Sequence, residues 1–153
     1  MKKLLLTCLA LLAISTTTFA YKIGDVISVG GKKGVVFEVS SDGQHGKVVS
    51  LYESEEGDWY SANKWCSEMY GRAWRLPTTD EWLVIYKRLY SINSTLACYG
   101  YTQIGENSEI SGGEYWAFES DAENLVAWTV TDSKINRAYI YLAYPRARAI
   151  AVF

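Results

Sequence analysis

The chain has 153 residues, with 15 Lys and Arg against 17 Asp and Glu, a formal net charge of −2. That balance disfavours nucleic acid or any other polyanion as a general partner and leaves only a local basic patch open. One histidine and three cysteines are too few for a Cys/His zinc centre, so no metal or other cofactor is expected.

Residues 1–20 read as a secretory signal. Met1-Lys2-Lys3 supplies the positive start, Leu4 to Ile14 the apolar run, and Thr18-Phe19-Ala20 the small residues before cleavage after Ala20. The apolar run is about eleven residues, well short of the roughly twenty that cross a bilayer, and no later run is longer, so no transmembrane segment is expected. Cys8 lies inside that run and not at the cleavage point, which argues against a lipoprotein anchor. The remainder, residues 21–153, is an ordinary size for a single domain and carries a formal charge of −4 once Lys2 and Lys3 are gone. It is expected to be exported, to the periplasm, the cell surface or the medium. In such a compartment Cys66 and Cys98 have the chemistry for a disulfide, and two buried apolar cysteines are the alternative.

Over residues 23–53 short β-prone runs alternate with turns: Val26 to Val29, Gly30-Gly31-Lys32-Lys33-Gly34, Val35 to Val39, Ser41-Asp42-Gly43, and Lys47 to Tyr52. This predicts a three-stranded meander. His45, in the second turn, is expected to be solvated, because no second histidine or rigid third group is at hand to make it a base. After Asp58, a suitable N-cap, Ala62, Trp65, Cys66 and Met69 recur at helical spacing until Gly71, which predicts a first helix over 59–70.

Trp74-Arg75-Leu76-Pro77-Thr78-Thr79-Asp80-Glu81-Trp82 is the most informative stretch. Thr78 and Glu81 have capping-box spacing, Asp80 adds negative charge at the positive end of a helix dipole, and Pro77 keeps Leu76 extended. A second helix therefore starts here, with Trp82, Ile85, Tyr86 and Leu89 as its buried stripe. Trp74, Arg75, Pro77, Thr78 and Glu81 are read as structural, Arg75 offering its fork to carbonyls or a carboxylate.

Residues from Ser91 to Gly113 are rich in Ser, Asn, Gly and Tyr without a sustained period and are expected to be irregular. Strand-like runs return at Tyr115 to Phe118, Val126 to Val130, Ala138 to Tyr144 and Arg146 to Phe153. The last is expected to dock beside one of the first strands. The order predicts an α+β domain. Tyr139 and Tyr141 would share one strand face and, with Tyr99 and Tyr101 of the long loop, are the candidate binding residues. Each suits a sugar ring or a protein surface when exposed, and a core when not. Asn93-Ser94-Thr95 fits the N-glycosylation pattern. Paired carboxylates such as Glu55-Glu56 and Glu119/Asp121 lie in polar surroundings and read as solvated faces.

The Trp74 to Trp82 stretch resembles the Arg-Leu-Pro-Thr-x-x-Glu-Trp signature of the formylglycine-generating, sulfatase-modifying family, whose fold is C-type-lectin-like. Ala62, Cys66, Tyr115-Trp116-Ala117, Ala127-Trp128 and Arg146 to Phe153 are similar to the C-terminal domain of a collagen-like bacterial adhesin and to exported proteins sharing it. The resemblance runs from about Gly43 to Phe153. Ala117-Phe118 stands where relatives carry two serines, and Ala151 where they carry an arginine. It implies a C-type-lectin-like fold: two helices on an antiparallel sheet that pairs the chain's two ends, with a long irregular loop region carrying any ligand site. The enzymatic relatives depend on late cysteines that hold copper. No cysteine follows Cys98, so catalysis of that type is not expected. Glu123, Asn124, Asp132 and Asn136, around Trp128, offer oxygen ligands where such lectins hold calcium, but the Glu-Pro-Asn and Trp-Asn-Asp signatures are absent. The resemblance thus implies a non-enzymatic module contacting a glycan or a cell-surface protein. A homo-oligomer built through a tyrosine face is the alternative.

Overall fold

The computed structural model describes residues 19–106, 113–121, 123–124, 126–132 and 134–153. Most of the expected signal segment, 1–18, lies outside them. Among the described residues the protein is α+β, with three helices and two antiparallel sheets.

The meander forms as β1 (Val26–Val29), β2 (Lys32–Val39) and β3 (Gly46–Ser50). Gly30 and Gly31 close the first hairpin at φ of 59° and 81°, the positive values that a two-residue turn needs to match strand twist. The chain's last strand, Ile150–Val152, pairs antiparallel with β3 and completes a four-stranded sheet, as expected of a docked C-terminus. Phe153 and Gly46 extend this pairing by exchanging both backbone bonds, at 3.0 and 3.1 Å. Gly46 is obligatory: a Cβ there would sit 2.1 Å from the Glu38 carbonyl oxygen.

Successive residues of a strand face opposite sides, and here both sides are covered. Val36 and Val48 pack in one core with Trp74, Trp116 and the helix α1 (Trp59–Tyr70). Val35, Phe37 and Val49 pack in another with α2 (Thr79–Lys87) and α3 (Leu89–Cys98), through Trp82, Ile85, Ile92 and Leu96. Asp58 caps α1 by accepting from the Ser61 N–H at 2.8 Å. Its buried face is Trp59, Ala62, Cys66 and Tyr70, whereas Met69, expected in the stripe, is 51 % exposed.

The third helix corrects the expectation of two. The region from Ser91 was expected to be irregular, yet the chain resumes helical turns after a single break at Arg88. Leu89, Ile92 and Leu96 return at helical spacing to bury an apolar stripe that outweighs the weak helix preference of the intervening Ser, Asn and Thr. Asn93 ties the chain beyond α3 back to the helix: its side chain donates to the Ile104 carbonyl (3.1 Å) and accepts from the Ile104 N–H (2.9 Å). That amide is a structural clamp, which disfavours the glycosylation reading.

The second sheet comprises β4 (Tyr115–Asp121), β5 (Val126–Val130) and β6 (Ile135–Tyr139) in that order, which makes the last strand of the chain β7. The expected single sheet is therefore two, and the strand expected over 138–144 lies earlier and ends at Tyr139. Beyond it the Leu142 and Ala143 N–H groups both return to the Tyr139 carbonyl (3.2 Å each), so the chain turns there and Ile140 enters the core. The last stretch is a regular strand only from Ile150. Before it, Ala147 and Ala149 take backbone and hydroxyl partners from Ser54 and Ser50.

Between Trp116 and Ser120 the pairing of β4 with β5 skips, and tryptophan donors serve the carbonyls of that segment. The Trp82 indole donates to the Trp116 carbonyl (3.1 Å) and that of Trp59 to the Ala117 carbonyl (2.8 Å). The Trp116 indole in turn reaches the Gly57 carbonyl (2.8 Å). These N–H donors tie the second sheet to α1 and α2, and they explain why so many large aromatics belong to the interior.

Candidate functional site

The Trp74 to Trp82 stretch is an architectural joint. Arg75 exchanges both backbone bonds with Ile150 (3.0 and 2.8 Å), which lays the segment along β7. Its guanidinium grips Glu81 at both oxygens (2.7 and 2.9 Å). The capping box is complete, because the Glu81 N–H donates to the Thr78 hydroxyl (3.1 Å) and the Thr78 N–H to the Glu81 carboxylate (2.8 Å). Trp74 sends its indole N–H to the Val29 carbonyl (3.1 Å), and the Pro77 carbonyl accepts from the Phe118 N–H (2.7 Å). These polar groups are committed to internal partners, so the segment holds the fold together and offers little to a ligand.

Burial pushes the Glu81 carboxyl up, but Arg75, the Thr78 N–H and Lys47 together outweigh it and hold the pKa at about 2. A carboxyl depressed from 4.5 contributes stability that is full above pH 4.5 and is lost as pH falls toward 2. With Arg75 38 % exposed and partly screened, the loss is expected to be about 2 kcal/mol. Urea unfolding followed from pH 6 to pH 2 measures it, and Glu81→Gln should flatten that limb of the curve.

A second charge cluster is deeper. Arg148 is fully buried and donates to the carbonyls of Ser50 (3.0 Å), Leu51 (3.2 Å) and Thr102 (2.6 Å), and to Glu53 (3.3 Å). Glu53 also takes Arg146 (3.0 Å) and the Tyr115 hydroxyl (2.9 Å). The sequence puts Arg146 and Arg148 in a terminal β-prone run and gives no sign of their burial, since the partners of Arg148 lie 46 to 98 residues away.

The catalytic arrangements that the sequence offers are not assembled among the described residues. Ser40, Asp42 and His45 do meet in the exposed second turn, with His45 Nδ1 2.9 Å from Asp42. The Ser40 hydroxyl, however, lies within hydrogen-bond reach of the Asp42 carboxylate and the His45 carbonyl and not of the imidazole, so the histidine is not set to take its proton. Glu119 is tied to the N–H and hydroxyl of Thr79 (3.1 Å), and Asp121 to Asn124 (2.7 Å). Among the described residues no group of three or more His, Cys, Asp or Glu is placed to hold a metal. Cys66 and Cys98 are free thiols, the first buried on α1 and the second exposed at the end of α3, so the bridge does not form. Burial pushes the Cys66 thiol up to about 12, which keeps it unreactive. Among the described residues, no helix is long and apolar enough to cross a membrane.

The four candidate tyrosines do not make one surface. Tyr139 and Tyr141, 61 % and 52 % exposed, sit at the end of β6 and in the turn beyond it, so the shared strand face is lost. Tyr141 packs on Tyr60 of α1, ring centres 5.6 Å apart. Tyr99 is exposed after α3, while Tyr101 is half-buried and meets Tyr52 edge to face at 4.9 Å. No family model and no curated protein matches this chain.

Tyr52 and Tyr101 line a cleft of about 280 Å³ at one end of the first sheet. Leu51 and Tyr70, both buried, supply apolar surface to it, and Met69, Lys32 and Lys33 border it. Its position follows from the fold: β2 begins and β3 ends here, α1 delivers Met69 and Tyr70 from its last turn, and the chain leaving α3 delivers Tyr101. The Tyr70 hydroxyl accepts the Tyr52 N–H (3.0 Å), which fixes the rim. Hydrogen bonding with Tyr101 holds the Tyr52 phenol above its ordinary pKa, so it stays a neutral donor and acceptor. Of these residues the sequence singles out Tyr101 alone. Tyr52 reads as strand, Met69 as helix stripe and the lysines as turn; each stands at or near an end of its element, where periodicity says little about direction.

Proposed function

We propose that the protein is an exported, C-type-lectin-like binding module that holds a glycan in the Tyr52–Tyr101 cleft. The observation that carries this reading is the edge-to-face tyrosine pair set beside apolar surface in a cleft. Aromatic rims on rigid elements suit sugars, because a ring face accepts the C–H side of a pyranose while phenol hydroxyls meet its O–H groups. The cleft lies close to the lower size of ligand sites, ~300 Å³, which suits a short saccharide better than a large cofactor. The resemblance to adhesin domains supports the same class. The turn after β6 supports a second reading, self-association, since Leu142 is 75 % and Tyr144 59 % exposed near Tyr139 and Tyr141 in the chain.

Titrating the purified protein with neutral and acidic oligosaccharides tests the first reading. Tyr52→Ala and Tyr101→Ala are each expected to weaken binding about tenfold; Tyr52, 58 % exposed, should be replaced with little change in melting temperature, whereas Tyr101→Ala, which also removes packing against the second core, should lower it. No binding to any saccharide, with a concentration-dependent dimer in light scattering, would transfer the function to the Tyr139–Tyr144 turn.

A further inference from the structure

The cleft combines two chemistries. Tyr52 and Tyr101 give it aromatic surface, and Lys32 and Lys33 give it positive charge. Both lysines stand at the start of β2, beside the hairpin turn, where they line the cleft. Both are exposed, and neither forms an ion pair among the described residues. Lys47 meets Glu38 (3.1 Å) and Glu81 (3.3 Å), and Lys64 meets Glu68 (3.4 Å), whereas Lys22 and Lys87, like Lys32 and Lys33, form no ion pair among the described residues. Among the described residues no carboxylate lines the cleft. Glu106 shares a separate polar depression with Tyr101 and is turned to the Gln103 N–H (2.8 Å). Two cations beside an aromatic pair, with no carboxylate on the lining, make the cleft locally positive on a chain of net negative charge.

We infer that the cleft takes an acidic saccharide, its ring against Tyr52 and Tyr101 and its anionic group against Lys32 and Lys33. This rests on the glycan reading and adds the charge. A carboxylate of a uronic acid and a sulfate ester present the same anionic oxygens, and lysine, a flexible point charge, accommodates either.

The test compares three probes by calorimetry on the purified protein: tetragalacturonate, a sulfated dextran oligosaccharide, and maltotetraose as the neutral control. An acidic probe is expected to bind about tenfold more tightly than the neutral one, and the advantage should disappear as salt is raised from ~50 mM to ~500 mM. Lys32→Ala/Lys33→Ala should abolish the advantage of the acidic probes over maltotetraose, and Lys32→Glu/Lys33→Glu should invert the preference. Which acidic probe binds better tells carboxylate from sulfate. If maltotetraose binds as well as the acids, or the lysine variants keep the preference, the inference is overturned and the glycan reading stands. Failure of all three probes overturns both.

Discussion

Glu53→Gln is expected to lower the unfolding free energy by about 3–5 kcal/mol, a large part of the 5–15 kcal/mol typical of a domain. The Glu53 side chain is 7 % exposed and answers two guanidinium groups, Arg148 at 0 % and Arg146 at 24 %. Arg146 has a second partner in Glu56 (3.6 Å), itself 63 % exposed. Arg148 has only carbonyls besides Glu53, and its Nε has no hydrogen-bond partner among the described residues. Neutralising Glu53 therefore leaves a fully buried cation without a counter-charge, and the cost is desolvation more than lost attraction. Arg148→Met in the same chain removes that orphan, so the double variant should be less destabilised than the sum of the singles. The exposed pair Lys64–Glu68, 71 % and 62 % open, provides the control: Lys64→Ala should change stability by less than about 0.5 kcal/mol. Urea unfolding of the four variants decides it. A Glu53→Gln loss below ~1 kcal/mol would mean that water reaches the cluster and that it does not anchor the loop at Thr102.

The cluster also marks the limit of what local sequence carries. Thr78 and Glu81 announce a helix start because capping is settled within four residues, and Val26 to Tyr52 announces a meander because turn glycines and alternating valines act at short range. The α3 stripe of Leu89, Ile92 and Leu96 is present in the same form, masked by its Ser, Asn and Tyr neighbours. The charged core is not legible, since an Arg beside alanines looks the same whether its carbonyl partners are absent or packed around it. The cleft falls between these cases. Its tyrosines and lysines are visible as types, but the site arises only where two strand ends, the end of α1 and the chain after α3 converge. The expected platform at Tyr139 and Tyr141 fails because the extent of a strand, unlike a cap, depends on Ile140 reaching a core that the local sequence does not describe.

Replacing Trp82 tests the joint between that core and the second sheet. Trp82 is 0 % exposed, stacked on Tyr115 at 4.8 Å and on Tyr86 at 5.6 Å, and its N–H is the donor to the Trp116 carbonyl. Trp82→Ala removes the largest apolar side chain of α2 and strands that carbonyl, with an expected loss of about 4–5 kcal/mol. Trp82→Phe keeps most of the area and only strands the carbonyl, so about 1–3 kcal/mol is expected, and the difference between the two variants separates packing from the hydrogen bond. Because Tyr115 both stacks on Trp82 and donates to Glu53, the effects of Trp82→Ala and Glu53→Gln should not add. Strict additivity in denaturant unfolding would show that the indole joint and the charge cluster are independent, and then Tyr115, whose hydroxyl burial pushes up to about 12, would not be the element that couples them.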